Sequence, residues 1–217
     1  MISPILPEFR KKPKQERGRQ AVAAIEQACL KILEKEGPQH LTTNRIAEVA
    51  GVSIGSLYQY FPNKESIVAA VYAAKLRTEA EAVLLRGPVI EKVANHSLED
   101  GLRAVIQSYV DLRRRFSHLN PEFYGRYHRI FDLLTETNKR AVAHGQPAFE
   151  AWFPTLLERH RAHLRVADLR LASVLAIRAL EGALWLAVEE RPDLLESEAF
   201  QEELLALVLG FLEARPA

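Results

Sequence analysis

Leu41-Thr42-Thr43-Asn44-Arg45-Ile46-Ala47 is followed, after Glu48 and Val49, by Ala50-Gly51-Val52-Ser53-Ile54-Gly55-Ser56-Leu57-Tyr58-Gln59-Tyr60-Phe61-Pro62-Asn63-Lys64-Glu65. Two short helical segments flank Gly51-Val52-Ser53, in the proportions of a helix-turn-helix. Thr42 or Thr43 can cap the first helix and Ser53 the second, because a hydroxyl there accepts from an otherwise unpaired backbone N–H. Gly51 can take the left-handed conformation that leaves the first helix. Ile46, Ala47, Val52 and Leu57 clamp the two at a fixed angle. The second helix is too short to build a core alone, and its outward face carries Ser53, Gly55, Ser56, Gln59 and Tyr60. Small and polar side chains allow close approach to phosphates and base edges.

The segments on either side are also helical. From Arg17, Val22, Ile25, Cys29, Ile32 and Leu33 recur at three- and four-residue spacing until Gly37-Pro38. Asn63 caps a helix expected over 64–85 and broken at Gly87-Pro88. Ser97 and Asp100 form a capping-box pattern opening a helix to about Ser117. Asn120-Pro121 opens another, expected to reach Ala143. A helix over about 147–165, a long apolar one from Asp168 to Glu190 and a last one over Ser197–Leu212 complete the chain. Nothing alternates with period two, so an all-α fold without a sheet is expected.

Charge is divided along the chain. Residues 1–64 carry ten Lys/Arg against six Asp/Glu, whereas the whole chain has a formal net charge of only +1. A basic N-terminal third suits an anionic partner. Residues 1–16, with Pro4, Pro7 and Pro13 among basic residues, read as a flexible arm. Residues 17–63 form the helix-turn-helix domain, and 64–217 a larger helical domain that begins with the 64–85 connecting helix. Cys29 is the single cysteine, which excludes an internal disulfide or a cysteine-based metal cluster. No secretory signal and no apolar stretch of about 20 residues is read, so a cytoplasmic protein with no membrane partner is expected.

The quoted stretch, with Ile25, Ala28, Leu33 and Gly37 before it, resembles the DNA-binding domain of the tetracycline-repressor (TetR/AcrR-like) family over about residues 18–68. The resemblance implies an N-terminal three-helix DNA-binding domain, a larger C-terminal ligand-binding and dimerisation domain, and a ligand-responsive repressor released by a small-molecule effector. It implies phosphate contacts from Thr43, Ser53, Tyr58, Tyr60 and Lys64, with Thr42 a contact or merely a cap. Gly55 would let the recognition helix approach the groove. Asn44, Arg45, Ser56 and Gln59 are candidates for base reading; Arg45 suits guanine or phosphate and Gln59 suits adenine.

One recognition helix covers one half-site, so a homodimer on palindromic double-stranded operator DNA is expected. The last two helices are apolar enough to form its four-helix interface, with Leu175, Ala179, Leu205 and Leu209 as candidates. Tyr109, Arg113, Phe123, Tyr127, Phe131, Trp152 and Trp185 are candidates for the effector pocket, and Arg113-Arg114-Arg115 with Arg126 could meet an anionic ligand.

Two alternatives remain open. A DNA-binding protein without an effector would not need some 130 residues of mostly apolar helix after its DNA-binding domain. A helical enzyme would need a recognisable site, yet the sequence holds no P-loop or Glu-x-x-His pair, and its Gly-x-Ser-x-Gly match, Gly51-Val52-Ser53-Ile54-Gly55, lies between two helical segments and not at the strand-to-helix turn a nucleophilic serine needs. His160 and His163 stand among Arg159, Arg161 and Arg165, which repel a metal cation. No enzyme activity, cofactor or metal is expected.

Overall fold

The computed structural model describes residues 10, 11 and 13–213, and of Glu150 only the backbone. Among these residues there are ten α-helices: α1 (Glu16–Lys35), α2 (Thr43–Ala50), α3 (Ile54–Tyr60), α4 (Lys64–His96), α5 (Leu98–Leu119), α6 (Pro121–Tyr127), α7 (Leu133–Ala143), α8 (Phe149–Arg159), α9 (Leu169–Glu189) and α10 (Glu198–Leu212). No strand occurs among the described residues, and the one β-bridge joins Leu164 to Glu213. The all-α expectation holds.

The chain forms two compact units, one of residues 1–76 with 116–131 and one of 77–115 with 132–217. In the first unit α1 packs on α2 and α3 through Ile25, Cys29, Ile32, Ile46 and Leu57, all without solvent exposure. Tyr72 of α4 stands among Phe116, Phe123, Tyr124 and Phe131, with ring centroids 5.1–5.9 Å away. Its hydroxyl donates to the Phe116 carbonyl at 2.7 Å. That carbonyl lies in the last turn of α5, where no intrahelical partner is available. In the second unit α9 packs against α8 and α10.

Four expectations need correction. The helix from Lys64 does not end at Gly87-Pro88 but runs to His96 with Pro88 inside it. A residue before proline is pushed out of helical conformation by clashes of the proline Cδ with its N–H and its Cβ, and Gly87 has no Cβ. The segment after Asn120 is two helices, because Asp132 starts α7 by accepting from the Leu134 N–H at 2.9 Å and the Thr135 hydroxyl at 2.8 Å. The helix expected to reach residue 165 stops at Arg159. Finally, α9 is long and apolar enough, by length and composition, to cross a membrane. Half of its apolar window is buried within the protein, and Glu181 in its middle is 2% exposed. A core helix accounts for that composition.

Candidate functional site

The helix-turn-helix is built by its caps. Thr42 Oγ1 accepts from the Arg45 N–H at 3.1 Å, so Thr42 rather than Thr43 starts α2. Gly51 leaves α2 at φ 67°, where a Cβ would be strained, and the Val52 N–H returns to the Ala47 carbonyl at 3.0 Å in a Schellman closure. Ser53 Oγ accepts from the Ser56 N–H at 3.1 Å and lies 2.8 Å from Ser56 Oγ. Phe61 is extended because Pro62 follows it. Asn63 Oδ1 then accepts from the Ser66 N–H at 2.8 Å, leaving Lys64 as the first residue of α4.

The caps fix which side chains face outward. Leu57 and Phe61 are fully buried, whereas Ser53, Gly55, Tyr58, Gln59, Asn44 and Lys64 are exposed. The Thr43 and Tyr58 hydroxyls meet at 3.1 Å, which joins α2 to α3 at the outer surface. Tyr60 is half-buried, and a Cβ on Gly18 would fall 2.9 Å from its hydroxyl, so the ring lies close against α1 and would have to shift for any larger residue there. Arg45 is held inside the protein's own charge network. Its Nη2 and Nε donate to Glu36 at 2.9 and 3.3 Å, and its Nη1 to Glu48 at 3.0 Å. The Arg45 hydrogen bond is the main cause that holds the Glu36 carboxyl below its usual range.

Sequence reasoning missed Arg10. Residues 1–9 and Lys12 of the expected flexible arm lie outside the described residues, but Arg10 is docked. Its backbone N–H donates to the Tyr60 carbonyl at 2.8 Å and its Nη1 to the Tyr58 carbonyl at 3.4 Å. A cation at the last carbonyls of α3 also complements the helix dipole. No composition signal distinguishes Arg10 from its basic neighbours.

The seven aromatic and arginine candidates for an effector pocket do not come together. Phe123, Tyr127 and Phe131 are buried in the first unit, with Phe123 and Phe131 packed on Tyr72. Tyr109 and Trp152 line a cavity of about 330 Å³ in the second unit, with Leu84, Pro88, Leu134 and Ala141 among its apolar walls. Trp185 is half-buried on α9 and does not line it. Arg113 is buried with its guanidinium 5.5 Å from the Tyr109 ring centroid, behind the cavity wall. Arg114 pairs with Asp111 at 2.7 Å and Arg115 with Glu79 at 2.7 Å, while Arg126 belongs to the first unit. The four arginines therefore do not converge on one anion. The walls from α4 and α7 carried no pocket signal in the sequence, where Gly87-Pro88 reads as a helix break and the remaining α4 and α7 lining residues as ordinary helix positions.

On the last two helices, Leu171, Val174, Leu175 and Leu186 of α9 and Leu207 of α10 are exposed. Ala179 is exposed on the same stripe of α9, whereas Leu209 is half-buried. Leu205 is 3% exposed and packs inside this chain, so Leu207 and not Leu205 extends the outer apolar surface.

An all-helical chain that presents a capped recognition helix beside a polar outer face is a DNA-binding helix-turn-helix regulator. Residues 25–71 match the family described as bacterial regulatory proteins, tetR family, and residues 97–212 match the tetracyclin repressor-like C-terminal domain. The chain belongs to the TetR family of transcriptional regulators. Among solved structures it is similar to a TetR-family transcriptional regulator from Streptomyces coelicolor, at 24% identity over 90% of this chain and 97% of that one, with a TM-score of 0.53. It is also similar to NalD from Pseudomonas aeruginosa, the secondary repressor of the MexAB-OprM multidrug efflux pump, at 21% identity over 92% of this chain and 100% of that one, with a TM-score of 0.50. Both likenesses concern the fold. No curated protein matches the chain.

Proposed function

We propose that this chain is a cytoplasmic repressor that binds a palindromic operator as a homodimer and is released by a small-molecule effector. The observation that carries the reading is the coexistence, in one TetR-family chain, of an outward polar recognition face and a half-open, mainly apolar cavity of about 330 Å³ in the other unit. A concave, mainly apolar space of this size with a few polar groups in its wall is the form that small-molecule sites take. On the DNA side, Lys64, Tyr60 and Thr43 take phosphates, with Ser53 and Tyr58 beside them, and Gln59, Asn44 and Ser56 read bases.

The exposed stripe of Leu171, Val174, Leu175, Ala179 and Leu186 supports dimerisation through α9, since water-facing apolar side chains at helical spacing gain most when a second copy covers them. Two recognition helices then sit one helical turn of DNA apart, about 34–36 Å. An effector that fits only one dimer arrangement shifts the population toward it, and full release requires a preference of about 5.5 kcal/mol. The chain works without metal or cofactor and catalyses no reaction.

The experiment has two stages. In vitro selection identifies the operator, and its sequence is expected to be two-fold symmetric. An effector found by thermal-shift screening is then titrated with and without operator. Linkage requires each to weaken the other by one common factor. Equal effector affinity in both titrations would leave a DNA-binding protein with a passive helical body.

A further inference from the structure

We propose that the ligand of the second-unit cavity is an uncharged, mainly apolar small molecule bearing a hydrogen-bond acceptor, and that the cavity rejects carboxylates and phosphates. The inference rests on the reading that this cavity is the effector site. It goes further by fixing the chemistry the site accepts.

Charge comes first. Among the described residues lining the cavity there is no Lys, Arg or His. The one ionised side chain in its wall is Glu91, paired with Arg159 at 3.1 Å. Behind the wall, Tyr109 is under the influence of one cation, Arg113, and two carboxylates, Asp132 and Glu181. An anion entering this space would leave water with no cation in the wall to receive it, and an unpaired buried charge is strongly disfavoured.

Hydrogen bonding supplies the second half. The Tyr109 hydroxyl has no hydrogen-bond partner among the described residues, and burial raises its pKa above the ordinary phenol range, so it remains a donor. The Arg113 guanidinium over the ring sharpens that donor by drawing electron density from the phenol. Asn138 Oδ1 already accepts from the Phe149 N–H at 2.7 Å, which leaves its amide N–H groups for the cavity. The Thr137 hydroxyl, on the same wall, is buried without a partner. Three polar groups thus face a mainly apolar space; the Asn138 amide N–H groups can only donate, and the Tyr109 and Thr137 hydroxyls can donate as well. A ketone, ester or ether oxygen on an apolar body satisfies them. The volume corresponds to about ten waters at about 30 Å³ each, at the small end of ligand pockets.

The test uses N-phenyl-1-naphthylamine, a neutral fluorescent probe, on the full chain. Energy transfer from tryptophan reports its position, and Trp152→Phe is expected to abolish most of the transfer while binding persists. Methyl decanoate, decanoate and decyltrimethylammonium then compete for the site. The ester is expected to displace the probe at a concentration at least tenfold below either ion, and Tyr109→Phe to raise that concentration several-fold without changing the affinity for the probe. Displacement by decanoate or the ammonium at concentrations equal to or below the ester's would overturn the proposal. So would energy transfer that Trp152→Phe leaves unchanged. Ester binding that leaves operator affinity unaltered would support the ligand class while removing the effector reading, so the two can fail separately.

Discussion

Arg45 grips both carboxylate oxygens of Glu36, with Nη2–Oε1 at 2.9 Å and Nε–Oε2 at 3.3 Å, and so ties α2 to the residue that ends α1. The same guanidinium holds Glu48. A side chain read from the sequence as a candidate base reader is therefore held by three hydrogen bonds that it must surrender to reach DNA. Glu36→Gln weakens the grip without changing shape. The expected outcome is tighter operator binding, with the log–log salt slope steeper by about one charge equivalent. In an Arg45→Ala background the same substitution should have a much smaller effect. Equal effects in both backgrounds would mean that Glu36 acts on DNA by its own repulsion and that Arg45 only braces the fold. Because the pair is substantially exposed, solvent screens it and its contribution to stability should be small.

Lys64 and Gln59 separate the two kinds of DNA contact. Lys64 is exposed at the first position of α4, where its charge adds to the free N–H groups of the helix start. Lys64→Ala should weaken binding to every sequence alike and flatten the salt slope by about one charge equivalent. Gln59 is exposed on α3. Gln59→Ala should relax preference at one or two operator positions, costing about 1–3 kcal/mol if the contact is bidentate. In vitro selection that returns the same motif for Gln59→Ala and the unsubstituted protein would remove Gln59 from base reading.

The contrast between these residues and the cavity shows what a sequence makes legible. Ser53, Asn63, Gly51 and Pro62 act within three or four residues of their own position, so their roles follow from local chemistry alone, and the structure puts each cap where that chemistry requires. The cavity joins residues of α4, α5, α7 and α8 that are as much as 69 positions apart, from Val83 to Trp152. No local rule says that Tyr109 and Trp152 share a wall while Phe123 and Phe131 turn to Tyr72. Pro88 misled for a related reason. A proline signals a helix end through its own sterics, but whether the helix continues depends on the Gly87 before it and on the packing of the whole element. The Arg45–Glu36 pair was hidden likewise, since ion pairing between two helices is not a periodicity.

The aromatic cluster of the first unit predicts a stability effect. The Tyr72 hydroxyl is buried and donates to the Phe116 carbonyl, with a second acceptor in the Asn120 carbonyl at 3.3 Å. Tyr72→Phe keeps the ring packing and takes the hydroxyl donor from the buried Phe116 carbonyl, while the Asn120 carbonyl still accepts from the Tyr124 N–H at 2.9 Å. Urea unfolding should show a loss of about 1–3 kcal/mol, the cost of leaving a buried polar group unpaired. A variant as stable as the parent would mean that water reaches the Phe116 carbonyl once the hydroxyl is gone.

Cys29 predicts the alkaline limit of the fold. Its thiol has no solvent exposure, and burial, with a smaller contribution from Glu26, pushes its pKa from 9.0 up to about 12. The native state thus holds the thiol proton more tightly than the unfolded chain does. Below pH 9 both states keep that proton and the contribution to stability is complete. Between about pH 9 and about 12 only the unfolded chain ionises at this site, so stability falls as pH rises, by up to about 1.4 kcal/mol per pH unit. Tyr72 and Tyr109, whose pKa values burial also raises, add to the decline at higher pH, so the comparison belongs near the lower end of the window. Urea unfolding at pH 8 and pH 10 should show a larger loss for the parent than for Cys29→Ala. The variant's own packing defect lowers both of its values and cancels from the difference. A thiol-reactive dye should leave the folded protein unmodified at pH 8 and label it once urea has unfolded it. Equal pH slopes for parent and variant, or rapid labelling of the native chain, would show that water reaches Cys29 and that α1 opens locally from its partners.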